Sequence, residues 1–294
     1  MSLAYQELRV AGRVELAALR FNRGAKLKVL ALHGWLDNAM SFAPLAAAWP
    51  EAEITALEFA GHGASQHLPS GAWYHIIDYL DDLVAGLALM EPHYDLLLGH
   101  SLGGATATAF AAARPEQVPR LALIEALGPI AYAPDAATQA LRTGLDARAA
   151  LGSKQLRLFE STEQAVAARL AANKMAPESA RLLVERSLRP AGDGWCWASD
   201  PRLRVANPLR LSEAAIQNWI AAIECRVCLI AADHPPPYFT ETTRQARIAC
   251  LRDAELHVVP GQHHLHMDDP SAVAEVLRQF VEHAPTRPAP AATT

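Results

Sequence analysis

Six residues constrain this chain most: Gly99-His100-Ser101-Leu102-Gly103-Gly104. They follow Asp95-Leu96-Leu97-Leu98, a short apolar run of the kind a buried strand shows. They precede residues 105–114, a run of small residues around one phenylalanine that reads as a tightly packed helix. A G-x-S-x-G motif between a strand and a helix is a nucleophile elbow, a sharp turn that strains the serine backbone and holds its hydroxyl at the tip. The flanking glycines remove side chains that would collide with the turn. The helix N-terminus supplies N–H groups and a positive dipole end where negative charge would develop. Ser101 is therefore the candidate nucleophile.

The rest of the chain supplies the expected scaffold. Residues 6–10 and 14–21 read as two strands joined at Ala11-Gly12-Arg13, suited to an antiparallel hairpin at a sheet edge. Residues 28–32 are an apolar strand ending at His33-Gly34-Trp35-Leu36-Asp37-Asn38, followed by a short helix over 41–49. Residues 52–59 form the next strand, and Gly61-His62-Gly63-Ala64-Ser65 is a structural turn without the spacing of a phosphate cradle. Over 74–90, Ile76, Ile77, Leu80, Leu83, Val84 and Leu87 recur at helical spacing, with Asp78, Asp81 and Asp82 on the other side. Residues 120–125 are another strand. This alternation predicts an α/β fold: a mostly parallel central sheet with helices on both faces.

Near Pro129 the pattern changes. Residues 135–188 offer only helical segments, one beginning with a capping-box spacing at Ser161-Thr162-Glu163-Gln164, and Pro177 stands where a helix start accepts it. Gly192-Asp193-Gly194 then breaks the chain ahead of Trp195-Cys196-Trp197. Residues 131–211 are read as an inserted, mainly helical cap, and 1–130 with 212–284 as the core. A helix over 212–223 returns to that core. A strand over 226–232, a helix over 242–251, a strand over 255–259, a loop over 260–270 and a helix over 271–283 complete it. Residues 285–294 are rich in Pro, Ala and Thr and are expected to form a disordered tail.

Composition narrows the function. At 294 residues and 51% hydrophobic, the chain has enough apolar material for one large core with an insertion. Its net charge of −5 is dispersed, with no basic stripe for a nucleic acid. No apolar run reaches the ~18 residues of a membrane span. The start, Met1-Ser2-Leu3-Ala4-Tyr5-Gln6-Glu7, lacks a secretory layout, so the expected location is cytoplasmic. Of the four cysteines, Cys225 and Cys228 form a C-x-x-C that runs into a strand pattern, which points the two thiols to opposite faces. They are read as core thiols, not as a redox or zinc pair, and no metal or cofactor is expected.

A serine hydroxyl needs a base to take its proton and a carboxylate to orient that base. His263, in the loop after the last strand, is the candidate base, with His264, His266 and His257 as competitors. His257 falls inside the strand and reads as a packing residue. Two acids are available. Glu125 ends the strand after the nucleophile helix, close to the elbow, and is favoured. Asp233 follows the strand over 226–232, the commoner place, but Pro235-Pro236-Pro237 stiffen that loop and deny backbone donors. The oxyanion hole needs two backbone N–H groups, expected from Leu102 and Trp35.

Together His33-Gly34-Trp35, Gly61-His62-Gly63-Ala64-Ser65, Gly99-His100-Ser101-Leu102-Gly103-Gly104 and Gly261-Gln262-His263 with Asp268 and Pro270 resemble the α/β-hydrolase superfamily. The stretch from His33 through Phe42 resembles the serine hydrolase-like proteins within it. In that superfamily the catalytic histidine commonly stands five residues before an acid and seven before a proline, which selects His263. Ile124-Glu125-Ala126 is similar to the acid site of a subgroup of haloalkane dehalogenases, but the serine nucleophile argues against dehalogenation and epoxide opening. Leu57-Glu58-Phe59-Ala60 departs from the common Leu-Asp-x-Pro, and the sequence assigns Glu58 no role.

The expected activity is cofactor-free hydrolysis of a small carboxylic ester through an acyl-enzyme. The same residues could cleave a thioester, a lactone or a carbon–carbon bond, since fold and triad do not fix the leaving group. A non-catalytic binding protein that keeps the elbow as scaffold is the reading from another class. Trp195 and Trp197 are candidates for lining a pocket under the cap, against the plainer role of packing residues.

Overall fold

The computed structural model describes residues 4–153 and 157–282. The chain opens with β1 (Tyr5–Ala11) and β2 (Glu15–Phe21), then β3 (Leu27–Leu32), α1 (Ala43–Ala48) and β4 (Ala52–Leu57). Next come α2 (Ile76–Leu87), β5 (Leu96–His100), α3 (Leu102–Ala113) and β6 (Leu121–Ile124). An insertion carries α4 (Ala137–Ala149), α5 (Thr162–Ala172), α6 (Pro177–Ser187), β7 (Leu188–Ala191) and β8 (Gly194–Trp197). The chain returns through α7 (Glu213–Ala221), β9 (Val227–Ala232), α8 (Glu241–Ile248) and β10 (Ala254–Val259), ending with the short α9 (Leu265–Asp268) and α10 (Pro270–Glu282). The expected tail at 285–294 lies outside the described residues.

Eight strands form one sheet in the order β1-β2-β4-β3-β5-β6-β9-β10. The β1/β2 hairpin is antiparallel at the edge, β2 runs antiparallel to β4, and the remaining pairs are parallel. The sheet grows one way from β3 to β4 and the other way from β3 to β5. That reversal opens a crevice at the carboxyl ends of β3 and β5, the place where ligands bind in sheets of this kind. Leu32 and Gly99 are paired across these two strands, so the turns after them stand side by side.

Apolar alternation divides the core between the two faces of the sheet. Leu97 packs on one side with Leu30, Leu32 and Phe110, and Leu96 and Leu98 pack on the other with Phe42, Leu277 and Phe280. Cys225 and Cys228 fall in these opposite clusters, both as free buried thiols, as their strand spacing requires. Burial pushes the Cys225 thiol up to about 12, well above the range of a reactive thiolate.

Helix α2 is rotated from its predicted face. Ile77 and Val84 are exposed, whereas Asp82 is buried with Tyr79, Leu83 and Gly86. The reason is a backbone donor: Asp82 Oδ2 accepts a hydrogen bond from the Ala60 amide at 2.8 Å. Hydropathy spacing cannot see an acceptor that the neighbouring loop requires.

The insertion is not purely helical. Strands β7 and β8 pair as an antiparallel hairpin around Gly192, which sits at φ 57°. The segment read as a chain break is a hairpin with Gly192-Asp193 as its two turn residues, because glycine accepts the positive φ of a tight turn. Trp197 packs edge-on against buried Phe159 at 5.2 Å between ring centroids, in a small core with Ala165, Val166, Ala180 and Val184. The packing role expected as the plainer alternative thus describes Trp197.

Polar contacts seat the insertion on the sheet. Arg186 of α6 grips Glu58 with two parallel bonds of 2.6 and 2.9 Å. Glu58 is fully buried and also accepts from the Ala39 amide at 3.0 Å and the Ala64 amide at 2.8 Å. Gly63 passes so close that a Cβ there would lie 2.2 Å from the Glu58 carboxylate. The residue left without a role by sequence is thus the socket for a charge from the insertion. Asn38 donates to the Leu183 carbonyl, and Ser179 donates to Asp268 at 2.6 Å.

Candidate active site

The elbow forms where β5 hands over to α3. Ser101 has φ 51° and ψ −111°, a strained region for a side chain with a Cβ. Its neighbours hold it there: the Ser101 amide donates to Ile124 O at 2.9 Å and the Gly103 amide to His33 O at 3.0 Å. The approach of α3 to β3 leaves no room beside Gly103, where a Cβ would lie 2.0 Å from the Leu32 carbonyl oxygen.

His263 lies in the loop after β10 and touches the elbow. Its Nε2 is 2.9 Å from Ser101 Oγ, and its Nδ1 is 3.2 Å from Glu125 Oε2. In this arrangement the serine hydroxyl donates to Nε2 while Nδ1–H donates to the carboxylate. Glu125 is 2% exposed, has φ 58°, and its other oxygen accepts from the Ala232 amide at 2.6 Å. The loop itself is pinned by His100, whose Nε2–H donates to the His263 carbonyl at 2.9 Å.

Asp233 stands elsewhere. Its carboxylate accepts from the Gly261 amide at 3.0 Å and faces His234 at 2.7 Å. The Gly261 amide, then His234, hold its carboxyl below the usual range. It caps the loop leading to His263 and makes no contact with the imidazole in the structure. The structure thus brings Ser101, His263 and Glu125 together and leaves Asp233 aside.

Leu102 opens α3 directly after Ser101, and Trp35 follows β3 in a four-residue turn closed by the Asp37 amide donating to Gly34 O at 3.1 Å. Leu36, at the third position of that turn, has φ 59°. The Trp35 indole N–H donates to the Leu203 carbonyl at 2.9 Å, tying its half-exposed ring to the insertion. His33 is structural: Nδ1–H donates to Gly34 O at 2.8 Å, Nε2 accepts from the Phe59 amide at 3.2 Å, and burial lowers its pKa to about 4.

Several residues at the site carried no sequence signal. Asp37 is buried between His264 Nε2 at 3.3 Å and His100 Nδ1 at 3.5 Å, and it pairs with Arg169 of α5. Burial pushes its carboxyl up, but His264 and Arg169 outweigh this and hold it well below the usual range. Tyr238, after the three prolines, places its hydroxyl 3.5 Å from His263 Nε2 and is half-exposed at the site. The competing histidines have other surroundings. His264 faces Asp37, His266 is buried against Phe42 and His100, and His257 sits in β10 beside Glu255.

Among the described residues, one group of potential metal ligands comes within common reach, Cys228 with Glu255 and His257, their ligand atoms within 4.8 Å of one another. It lies within β9 and β10, not at the carboxyl ends where Ser101 and His263 meet. Arg226 bonds Glu255 at 2.6 Å, and burial raises the Cys228 thiol.

An eight-stranded, mostly parallel sheet with a strained serine at its reversal point defines a class, and comparison with known proteins agrees. The model of the alpha/beta hydrolase family matches residues 29–276, and the chain belongs to that family. Within it the chain is similar to serine hydrolase-like proteins. It is 32% identical over 273 residues to a probable serine hydrolase of Drosophila melanogaster, covering 87% of this chain and 81% of the relative. It is 28% identical over 269 residues to a serine hydrolase-like protein of Dictyostelium discoideum, covering 86% and 74%. Among solved structures, a hypothetical protein of Pseudomonas aeruginosa PAO1 superposes with a TM-score of 0.85 at 39% identity, covering 94% of this chain and 98% of that one. No helix among the described residues is long and apolar enough to cross a membrane.

Proposed function

We propose that this hydrolase cleaves small carboxylic esters with Ser101 as nucleophile, His263 as base and Glu125 as the orienting acid. The observation that carries the reading is the unbroken relay from Glu125 through His263 to Ser101, at 3.2 and 2.9 Å, ending on a serine held at φ 51°. His263 Nε2 takes the hydroxyl proton as Ser101 Oγ attacks the carbonyl carbon. Glu125 keeps the ring turned and stabilises the imidazolium. The Leu102 and Trp35 amides receive the oxyanion. His263 then returns the proton to the leaving alcohol, and a water activated by the same nitrogen releases the acid.

Residues 131–211 act in this reading as a cap over the crevice. Support comes from the ties that run from it to the site: the Trp35 indole on Leu203 O and Arg169 on the turn after Trp35. Half-exposed Trp35 and Tyr238 offer apolar surface to the acyl or alcohol part of a small substrate.

The test begins with intact-protein mass after fluorophosphonate treatment, beside Ser101→Ala. One adduct on the native chain and none on the variant is expected, followed by turnover of a p-nitrophenyl ester series. Absence of an adduct on folded protein contradicts the reading and favours a binding protein on this scaffold. An adduct with thioester turnover far above ester turnover retains the triad and changes the substrate class.

A further inference from the structure

The turn that carries Trp35 is held by a residue from the insertion. Arg169 of α5 donates from Nη1 to the Leu36 carbonyl at 3.0 Å and from Nη2 to the Asp37 carboxylate. Leu36 occupies the third position of a four-residue turn at positive φ, where glycine or asparagine is the usual occupant. A leucine stays there only if its surroundings hold it. The guanidinium fork does so by binding the carbonyl of the strained residue and the side chain of the next one together.

The same contact reaches the other parts of the site. Asp37 Oδ2 lies 3.3 Å from His264 and 3.5 Å from His100. His100 neighbours the nucleophile in sequence and donates to the His263 carbonyl at 2.9 Å. Packing here is close: a Cβ on Gly34 would lie 2.7 Å from Asp37 Oδ2 and 2.8 Å from His100 Nδ1. The Arg169 side chain is 11% exposed and that of Asp37 is 1% exposed, so water does little to weaken the pair.

We propose that Arg169 is a positioning residue for hydrolysis, which aligns the Trp35 amide and, through Asp37 and the His264 ring that faces it, the loop that carries His263. The insertion then assembles the site as well as roofing it. This inference rests on the serine-hydrolase reading, and labelling of the wild-type chain at Ser101 tests that reading separately.

The experiment measures p-nitrophenyl ester kinetics, the rate constant of fluorophosphonate labelling and the melting temperature for the full chain. The variants are Arg169→Met, Arg169→Lys, Asp37→Asn and the Asp37→Asn/Arg169→Met pair. Arg169→Met is expected to lower kcat by about 10- to 100-fold with KM unchanged, the effect of a displaced reacting group. The labelling rate should fall by a similar factor, because phosphonylation of Ser101 uses the same oxyanion contacts. Arg169→Lys, which keeps the charge but not the fork, should fall between wild type and Arg169→Met. The double variant should lose less than the product of the two single losses, since the two side chains hold the same turn. A wild-type kcat and labelling rate in Arg169→Met overturn the proposal, whatever happens to the melting temperature. So does full additivity in the pair. If Arg169→Met does not fold, a wild-type kcat in Arg169→Lys overturns it. An unlabelled wild type overturns the hydrolase reading itself, and this inference with it.

Discussion

Glu125 and Asp233 pose the sharpest question at the scale of single residues. Both end a strand of the sheet, yet only Glu125 is buried beside His263, at 3.2 Å, while Asp233 binds Gly261 and His234. Glu125→Gln should therefore reduce kcat by about 10⁴-fold, the cost of losing tautomer control in a triad. Asp233→Asn should leave kcat unchanged and lower the melting temperature slightly. Steady-state kinetics on one good ester distinguishes the two, and the opposite pattern would reassign the acid. Ser101 was legible because a strained turn has fixed local sequence requirements, whereas His263 stood out from its neighbouring histidines through the spacing to Asp268 and Pro270 that the family resemblance supplied. Glu125 was legible only as the better of two, because a strand end states which residue emerges and not which partner it meets.

At the scale of elements, the insertion docks through charge that has no local signature. Arg186 of α6 and buried Glu58 meet across 128 residues of sequence. Removing one partner of such a pair leaves an uncompensated buried charge, which costs about 3–5 kcal/mol. Arg186→Met should lower unfolding free energy by that amount in urea titration. Replacing both residues by apolar ones should not restore it fully, because the Ala39 and Ala64 amides would then lose their acceptor. The β7/β8 hairpin and the burial of Asp82 were missed for a related reason. Gly192-Asp193-Gly194 suits a turn or a break, and Asp82 answers the amide of Ala60, which periodicity along α2 does not contain.

The whole molecule carries an unusual load of buried, neutral imidazole. Burial is the first cause lowering His33 and His100 to about 4, His62 to about 3 and His266 well below its usual value. The unfolded chain takes up these protons near pH 6.5 and the folded chain does not. Each histidine therefore contributes stability that is present above about pH 6.5 and is lost as the pH falls toward 4, by up to ~1.4 kcal/mol per pH unit. Asp82, raised by burial to about 6, works the other way: its contribution is present below the unfolded carboxylate range and is lost as pH rises through 6. One opposing group does not cancel four. The melting temperature should fall steeply from about pH 6.5 to about pH 4 in circular-dichroism melts, and a flat profile there would show that the imidazoles are not neutral and buried together.

The amino-acid sequence by itself determined the strand and helix alternation, the elbow at Ser101 and the opposed thiols of Cys225 and Cys228. Each of these follows from steric and hydropathic rules that act over a few neighbouring residues. Only the tertiary structure decided that Glu125 lies beside His263 while Asp233 does not, that Glu58 receives Arg186, and that Arg169 reaches the turn of Trp35. Those partners are joined across more than a hundred residues, except that Asp233 caps Gly261 28 residues on. Their pairing is set by desolvation and by the geometry of hydrogen bonds in a closed core, which no local pattern encodes.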